Sequence, residues 1–160
     1  MSLKLPQPLG NLNPNFIKDY HMDIVTDSFS INTKGETDIL DITGEVQKKI
    51  NSSGFNEGNV LVFTGGSTAG VTTIEFEPGL KKDYPAFFEK IIPSNISYQH
   101  DKTWHDGNGH SHIRASLQGA SLTVPFSKGN LLLGTWQQII LADFDNRPRK
   151  RNIIVQITGK

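Results

Sequence analysis

The stretch LLLGTWQQIILADF, residues 131–144, is apolar on both parities. A strand tolerates that pattern only when both of its faces are covered. It therefore predicts a central strand with one layer packed on each side, and Gly134 predicts a bulge or a close backbone approach. The neighbouring segments are simpler. Leu122, Val124 and Phe126 alternate with Ser121, Thr123 and Pro125, SKGN turns the chain, and Ile153, Val155 and Ile157 line one face of a last strand after the turn DNRPR. Upstream, HMDIVTDSFSI (21–31), NVLVFT (59–64) and VTTIEFE (71–77) have the β-branched content of further strands.

Helical signals are shorter. GEVQKKINSSG follows Asp41-Ile42-Thr43, so Asp41 or Thr43 is the expected cap, Lys48 and Lys49 occupy the last turn, and Gly54 is the stop. In PGLKKDYPAFFEKIIP, Leu80, Tyr84, Phe87, Phe88 and Ile91 fall at helical spacing, and Pro85 predicts a kink or a fresh start. Many strands with a few short helices give an α+β domain built on antiparallel sheets. Residues 1–19, rich in proline and asparagine, read as a tail or strap, and 20–160 as one domain.

Composition excludes several functions. Sixteen basic residues balance sixteen acidic ones, which argues against a nucleic-acid partner. Without cysteine there is no disulfide scaffold, thiol nucleophile or thiolate metal site. No apolar run approaches the ~20 residues that span a bilayer, and the first residues lack a signal-peptide core. The expectation is a cytoplasmic protein with no membrane partner.

Four of the five histidines stand in HDKTWHDGNGHSH, residues 100–112. On a helix the five-residue steps from His100 to His105 and His110 point in three directions, and Gly107 and Gly109 argue against a helix. In extended chain His110 and His112 share a face, and a glycine-rich loop folds His100 or His105 toward them. Neutral imidazoles bind zinc and related metals, and Asp106 is a candidate fourth ligand or orienting group. The plain alternative is a polar surface loop.

Two further stretches suggest anions. In FTGGSTAGVTT, Gly65 and Gly70 have the separation of a phosphate loop, but Val71 replaces its lysine and a strand follows instead of a helix. What remains is an anion nest from the N–H groups of Gly65 and Gly66 and the hydroxyls of Ser67 and Thr68, or a bare turn. Arg147-Pro148-Arg149-Lys150-Arg151 suits phosphate or carboxylate, or is a solvated turn paired with Asp143 and Asp145.

Together, GSTAGVTTIEFEPGL, HDKTWHDGNGHSHIRASLQGASLTVPF and GNLLLGTWQQIILADFDNRPRKR resemble the YjbQ family, also called UPF0047. The resemblance implies a compact α+β domain with an antiparallel, β-sandwich-like core and two or three short helices. It also implies a homotrimer with sites near subunit contacts, metal binding, and a secondary thiamine-phosphate synthase activity. That reaction joins a pyrimidine methyl diphosphate to a thiazole phosphate and releases pyrophosphate. His100 and His112 match the histidines that bracket the family's loop, and Asp106 its acidic position. Gly66-Ser67-Thr68 replaces a histidine-threonine pair found in many members, so His105 or His110 is the expected substitute ligand. Glu75 and Arg114 fall on family positions, and Trp136 and Gln137 read as packing.

The expected site therefore has His100, His110 and His112 on a divalent metal, zinc ahead of magnesium or manganese. Gly65, Gly66, Ser67, Thr68 and Arg149 would hold the phosphorylated substrate, and His105, Asp106, Asn108, Arg114 and Glu75 would do chemistry. The competing expectations are a metal-dependent hydrolase and a non-catalytic trimer that binds a metal or a small phosphorylated ligand.

Overall fold

The computed structural model describes residues 21–160; the predicted N-terminal tail or strap, 1–19, lies outside them. Two antiparallel sheets face each other. The larger has the order β1 (Asp23–Thr33), β8 (Arg149–Gly159), β3 (Glu57–Thr64), β5 (Ser121–Ser127) and β6 (Asn130–Leu131). The smaller has β2 (Asp38–Asp41), β7 (Gln138–Asp143) and β4 (Ala69–Ile74). The fold is the α+β, sandwich-like class that the sequence implies.

β7 explains the doubled apolar parity. Ile139 and Leu141 point into the space between the sheets, where they meet Val60, Val62, Val155 and Ile157. Ile140, Ala142 and the following Phe144 point the other way, against Phe88, Ile92 and Ala115 of the helical layer. Each of the larger apolar side chains contributes roughly 1.5–3 kcal/mol by leaving water, so one strand ties two cores together. The strand itself is shorter than the apolar run: Gly134 lies in the loop before it.

The described residues form four helices, not two or three. α1 (Thr43–Ser53) buries Val46 and Ile50 in the inter-sheet core and ends at Gly54 in the left-handed conformation. Asp41 accepts from the Thr43 backbone N–H at 2.9 Å, and Lys48 and Lys49 fall short of the final turn. α2 (Leu80–Ile91) continues through Pro85, its sixth residue, which has no N–H to donate to the carbonyl of Lys81. The other two, α3 (Gln99–Trp104) and α4 (Gly109–Gln118), occupy the histidine segment that reads from sequence as extended or looped.

Two carboxylate contacts explain that difference. Asp101 accepts from the backbone N–H of Tyr98 at 3.3 Å and of Gly109 at 2.9 Å, so one side chain serves the first turns of both helices. Gly109 is no helix breaker here. A Cβ at that position would collide with the Tyr98 side chain, so glycine lets α4 begin against α3.

Candidate functional site

β7 and β8 place charge by the same parity that builds the core. Arg149 and Arg151 share the inward parity of Ile153, Val155 and Ile157, while Asp143 and Asp145 continue that of Ile139 and Leu141. The sandwich thus ends in a layer of buried charge. Arg151, 9% exposed, donates from Nε and Nη2 to the two oxygens of the wholly buried Asp143 at 2.7 and 2.5 Å. Its Nη2 also donates to Thr68 Oγ1 at 2.8 Å. Thr33 donates to Asp143 Oδ2 at 2.5 Å.

Asp145 anchors the second arginine. Its Oδ2 accepts from Arg149 Nε at 2.8 Å and from Thr68 Oγ1 at 2.9 Å, whereas Oδ1 is buried with no hydrogen-bond partner. Burial alone would raise this carboxyl's pKa. The bonds from Arg149 and Thr68 and the charges of both guanidinium groups outweigh it and hold the pKa below the usual carboxylate range.

Above this layer opens a cleft of about 490 Å³. One wall is the 65–68 loop. Among the described residues, the backbone N–H groups of Gly65, Gly66 and Ser67 have no protein acceptor. A Cβ on Gly66 would stand 2.7 Å from Arg151 Nη1, so glycine is what admits the guanidinium edge beside the loop. Arg149, Lys150 and Arg151 continue that side. The Nη groups of Arg149 and Nη1 of Arg151 have no carboxylate partner among the described residues.

The opposite wall comes from the turn between α3 and α4. Asp106, Asn108 and His112 line it, and the His112 ring lies 4.2 Å from that of His100, centroid to centroid. Asn108, oriented so that its amide satisfies its neighbours, donates to His100 Nε2 at 3.2 Å and to Asp106 Oδ1 at 3.1 Å. Burial lowers the pKa of His112, and the charge of His100 lowers it further.

The candidates of the sequence divide accordingly. Gly65, Gly66, Ser67, Thr68, Arg149, Asp106, Asn108 and His112 line one cleft, with His100 against its edge. Four do not join them. His105 is exposed at the left-handed end of α3. His110 and His112, two apart on a helix, point about 200° apart. His110 instead lines a second pocket with Arg114, and burial beside Arg114 lowers its pKa. Arg114 is held there by Ile92 O, Thr37 Oγ1 and Glu89. Glu75 follows β4 at the end of the sheet opposite the cleft, since Ala69 pairs with Asp143 and Ile74 with Gln138.

The predicted metal triad is thus not assembled. Among the described residues no three His, Asp or Glu side chains converge as a metal site. His100 Nε2 and Asp106 Oδ1 are 3.6 Å apart, and His110 faces elsewhere. Lys150, Arg151 and Asp145, which the sequence offers only as parts of the basic turn and its acidic neighbours, also line the cleft; for Arg151 and Asp145 the signal is the inward parity that continues from β8 and β7.

A family model described as UPF0047 protein YjbQ-like matches residues 27–160. The chain belongs to the YjbQ-like family. Its UPF0047 relative from Archaeoglobus fulgidus is 39% identical over 127 residues, covering 79% of this chain and 96% of that protein. The one from Methanothermobacter thermautotrophicus is 37% identical over 139 residues, covering 87% and 95%. A crystal structure of a YbjQ-like protein of unknown function from Sulfolobus solfataricus superposes with a TM-score of 0.82 at 32% identity, covering 88% of this chain and all of that one. A YjbQ/UPF0047 protein from Clostridium acetobutylicum gives 0.75 at 35% identity, covering 82% and 98%. Among the described residues no helix is long and apolar enough to cross a membrane.

Proposed function

We propose that this YjbQ-like chain binds the phosphate groups of a small phosphorylated molecule in the cleft between the 65–68 loop and the α3–α4 turn, and acts on it there. One observation carries the reading. Anion donors (the loop N–H groups, Arg149, Lys150 and Arg151) and proton-handling groups (His112 and Asp106) face the same 490 Å³ space. The carboxylates balance much of the local positive charge, so selectivity comes from direction. The free N–H arms of Arg149 and Arg151 and the loop amides are fixed donors that need little reorganisation when an anion enters.

The reaction this best suits is displacement of a diphosphate, as in thiamine-phosphate synthesis. The carbon–oxygen bond to the leaving pyrophosphate breaks while the thiazole nitrogen supplies the pair for the new carbon–nitrogen bond. Arg149, Lys150 and the loop would stabilise charge on the departing group. His112 would take a proton from the pyrimidine as the diphosphate leaves and return it once the new carbon–nitrogen bond has formed. No step is assigned to a metal, because His100, His112 and Asp106 do not form a ligand set within the chain.

The test is calorimetric titration with pyrophosphate, followed by product analysis with a pyrimidine methyl diphosphate and a thiazole phosphate. Binding lost in Arg149→Ala and coupled product lost in His112→Ala support the reading. Pyrophosphate binding without turnover reduces it to a phosphate-binding protein. Absence of binding ends it.

A further inference from the structure

A separate pocket of about 600 Å³ lies on the other side of the Asp106–Asn108 turn. It shares no lining residue with the cleft. Pro85 and Ala86 of α2 line it, and Glu36 and Thr37, both in the left-handed region at φ 55° and 64°, put an exposed carboxylate and a buried hydroxyl on its border. His110 and Arg114 of α4 reach in from the floor.

His110 is the observation that points to a ligand. It is 7% exposed, it lines the pocket, and its Nδ1 is buried with no hydrogen-bond partner. Its Nε2 lies 3.2 Å from the buried Ser111 Oγ. If the hydroxyl donates to Nε2, Nδ1 bears the proton and needs an acceptor; in the other tautomer it needs a donor. Arg114 beside it is 3% exposed and commits four of its five N–H donors to Ile92 O, Thr37 and Glu89, so that no paired N–H fork is left. It therefore shapes the floor without offering an open anion site.

The remaining charge is negative. Glu36 is exposed at the rim with no ion-pair partner among the described residues. Glu89 accepts from Ser94 and Arg114, and its oxygens retain lone pairs for a further donor. An anion is thus disfavoured, in contrast to the neighbouring cleft.

We propose that this pocket is a second small-molecule site, taking an amine-bearing ligand whose amino group stands beside a hydrogen-bond acceptor, as in an amidine or an amino-heterocycle. Such an edge satisfies His110 Nδ1 in either tautomer. The amine faces the carboxylates of Glu36 and Glu89, and the carbon body covers Pro85 and Ala86. Gly107 lines this pocket while Asp106 and Asn108 line the cleft, so the ligand also touches the turn that divides the two sites. The proposal is independent of what the cleft binds.

The probe is 2-aminopyridine, followed at constant pH by the imidazole nitrogen signals of the full chain labelled with ¹⁵N-histidine. The expected result is a saturable shift of the His110 signals that persists in the presence of inorganic phosphate. Binding should weaken about tenfold in His110→Phe and several-fold in Glu36→Gln, with thermal melts confirming that each variant folds. Glu36→Gln lies on the surface and keeps the test open if His110→Phe is unstable. No shift at ~10 mM probe, equal binding to Glu36→Gln, or displacement of the probe by phosphate would each overturn the proposal.

Discussion

The two ends of the three-stranded sheet are made of similar residues and behave differently. At one end, where Ala69 pairs with Asp143, two carboxylates and Arg151 are drawn into the interior, Arg149 pairs with Asp145 at the edge, and each charge is matched before the cleft begins. At the other, where Ile74 pairs with Gln138, Glu75 and Trp136 stand in solvent, and Gln138 merely accepts from the Phe76 backbone N–H at 2.8 Å. Polar residues at a strand end are ordinary. What distinguishes the cleft end is that its charges are desolvated in pairs, which fixes guanidinium groups in one orientation and leaves their outer arms free. The lesson is that burial of the partner, and not density of charge, turns a basic turn into a site.

The severest way to break that contrast is Asp143→Ala. It leaves Arg151 buried without its carboxylate, and a broken buried pair costs about 3–5 kcal/mol. Denaturant melts should show that loss, whereas replacing Asp143 and Arg151 together by apolar residues should recover most of it. Next is Arg149→Ala. It takes from the buried Asp145 its main donor, so stability should fall, though less than for Asp143→Ala because Arg149 is about one-third exposed, and pyrophosphate affinity in calorimetry should fall about tenfold. At the opposite end, Gln138→Ala removes one acceptor and should cost about 1 kcal/mol with no change in pyrophosphate affinity. A change in affinity there would erase the distinction between the ends.

The mildest perturbation is pH. His110 and His112 have folded pKa values below the ordinary histidine value. The unfolded chain therefore takes up protons first, and stability declines as pH drops from about 6.5 toward the folded values. Asp145 is also depressed. Its contribution is complete above the unfolded carboxylate value and is lost at more acid pH, below about 4. Urea melts across this range should show two successive declines, the first reduced in His112→Gln.

Much of this was legible in the sequence, for definite reasons. The strands announce themselves through alternation, and β7 through apolar residues on both parities, because each face meets its own layer. The glycine loop and the arginine run read as candidate anion sites and the histidine cluster as a metal site, and the structure brings the first two and part of the third to one cleft. The failures are non-local. Gly109 reads as a helix breaker until Tyr98 and Asp101 are beside it. Once α4 is a helix, His110 parts from His112, and a spacing that shares a face in extended chain divides two pockets instead. Asp143 and Asp145 read as companions of the arginines, but their depth depends on the Thr33 and Thr68 contacts from distant strands.

β1 and β8 pair along their whole length, from Asp23 opposite Gly159 to Thr33 opposite Arg149. Of the described elements, these are the first and the last to leave the ribosome. Until synthesis reaches the final strand, β1 has no neighbour in the sheet, β3 lacks its second one, and the arginines of the cleft do not yet exist. Contacts of such long sequence separation form slowly. The anion site should therefore form only once β8 has emerged, and translation products that stop short of Arg149 should lack it altogether.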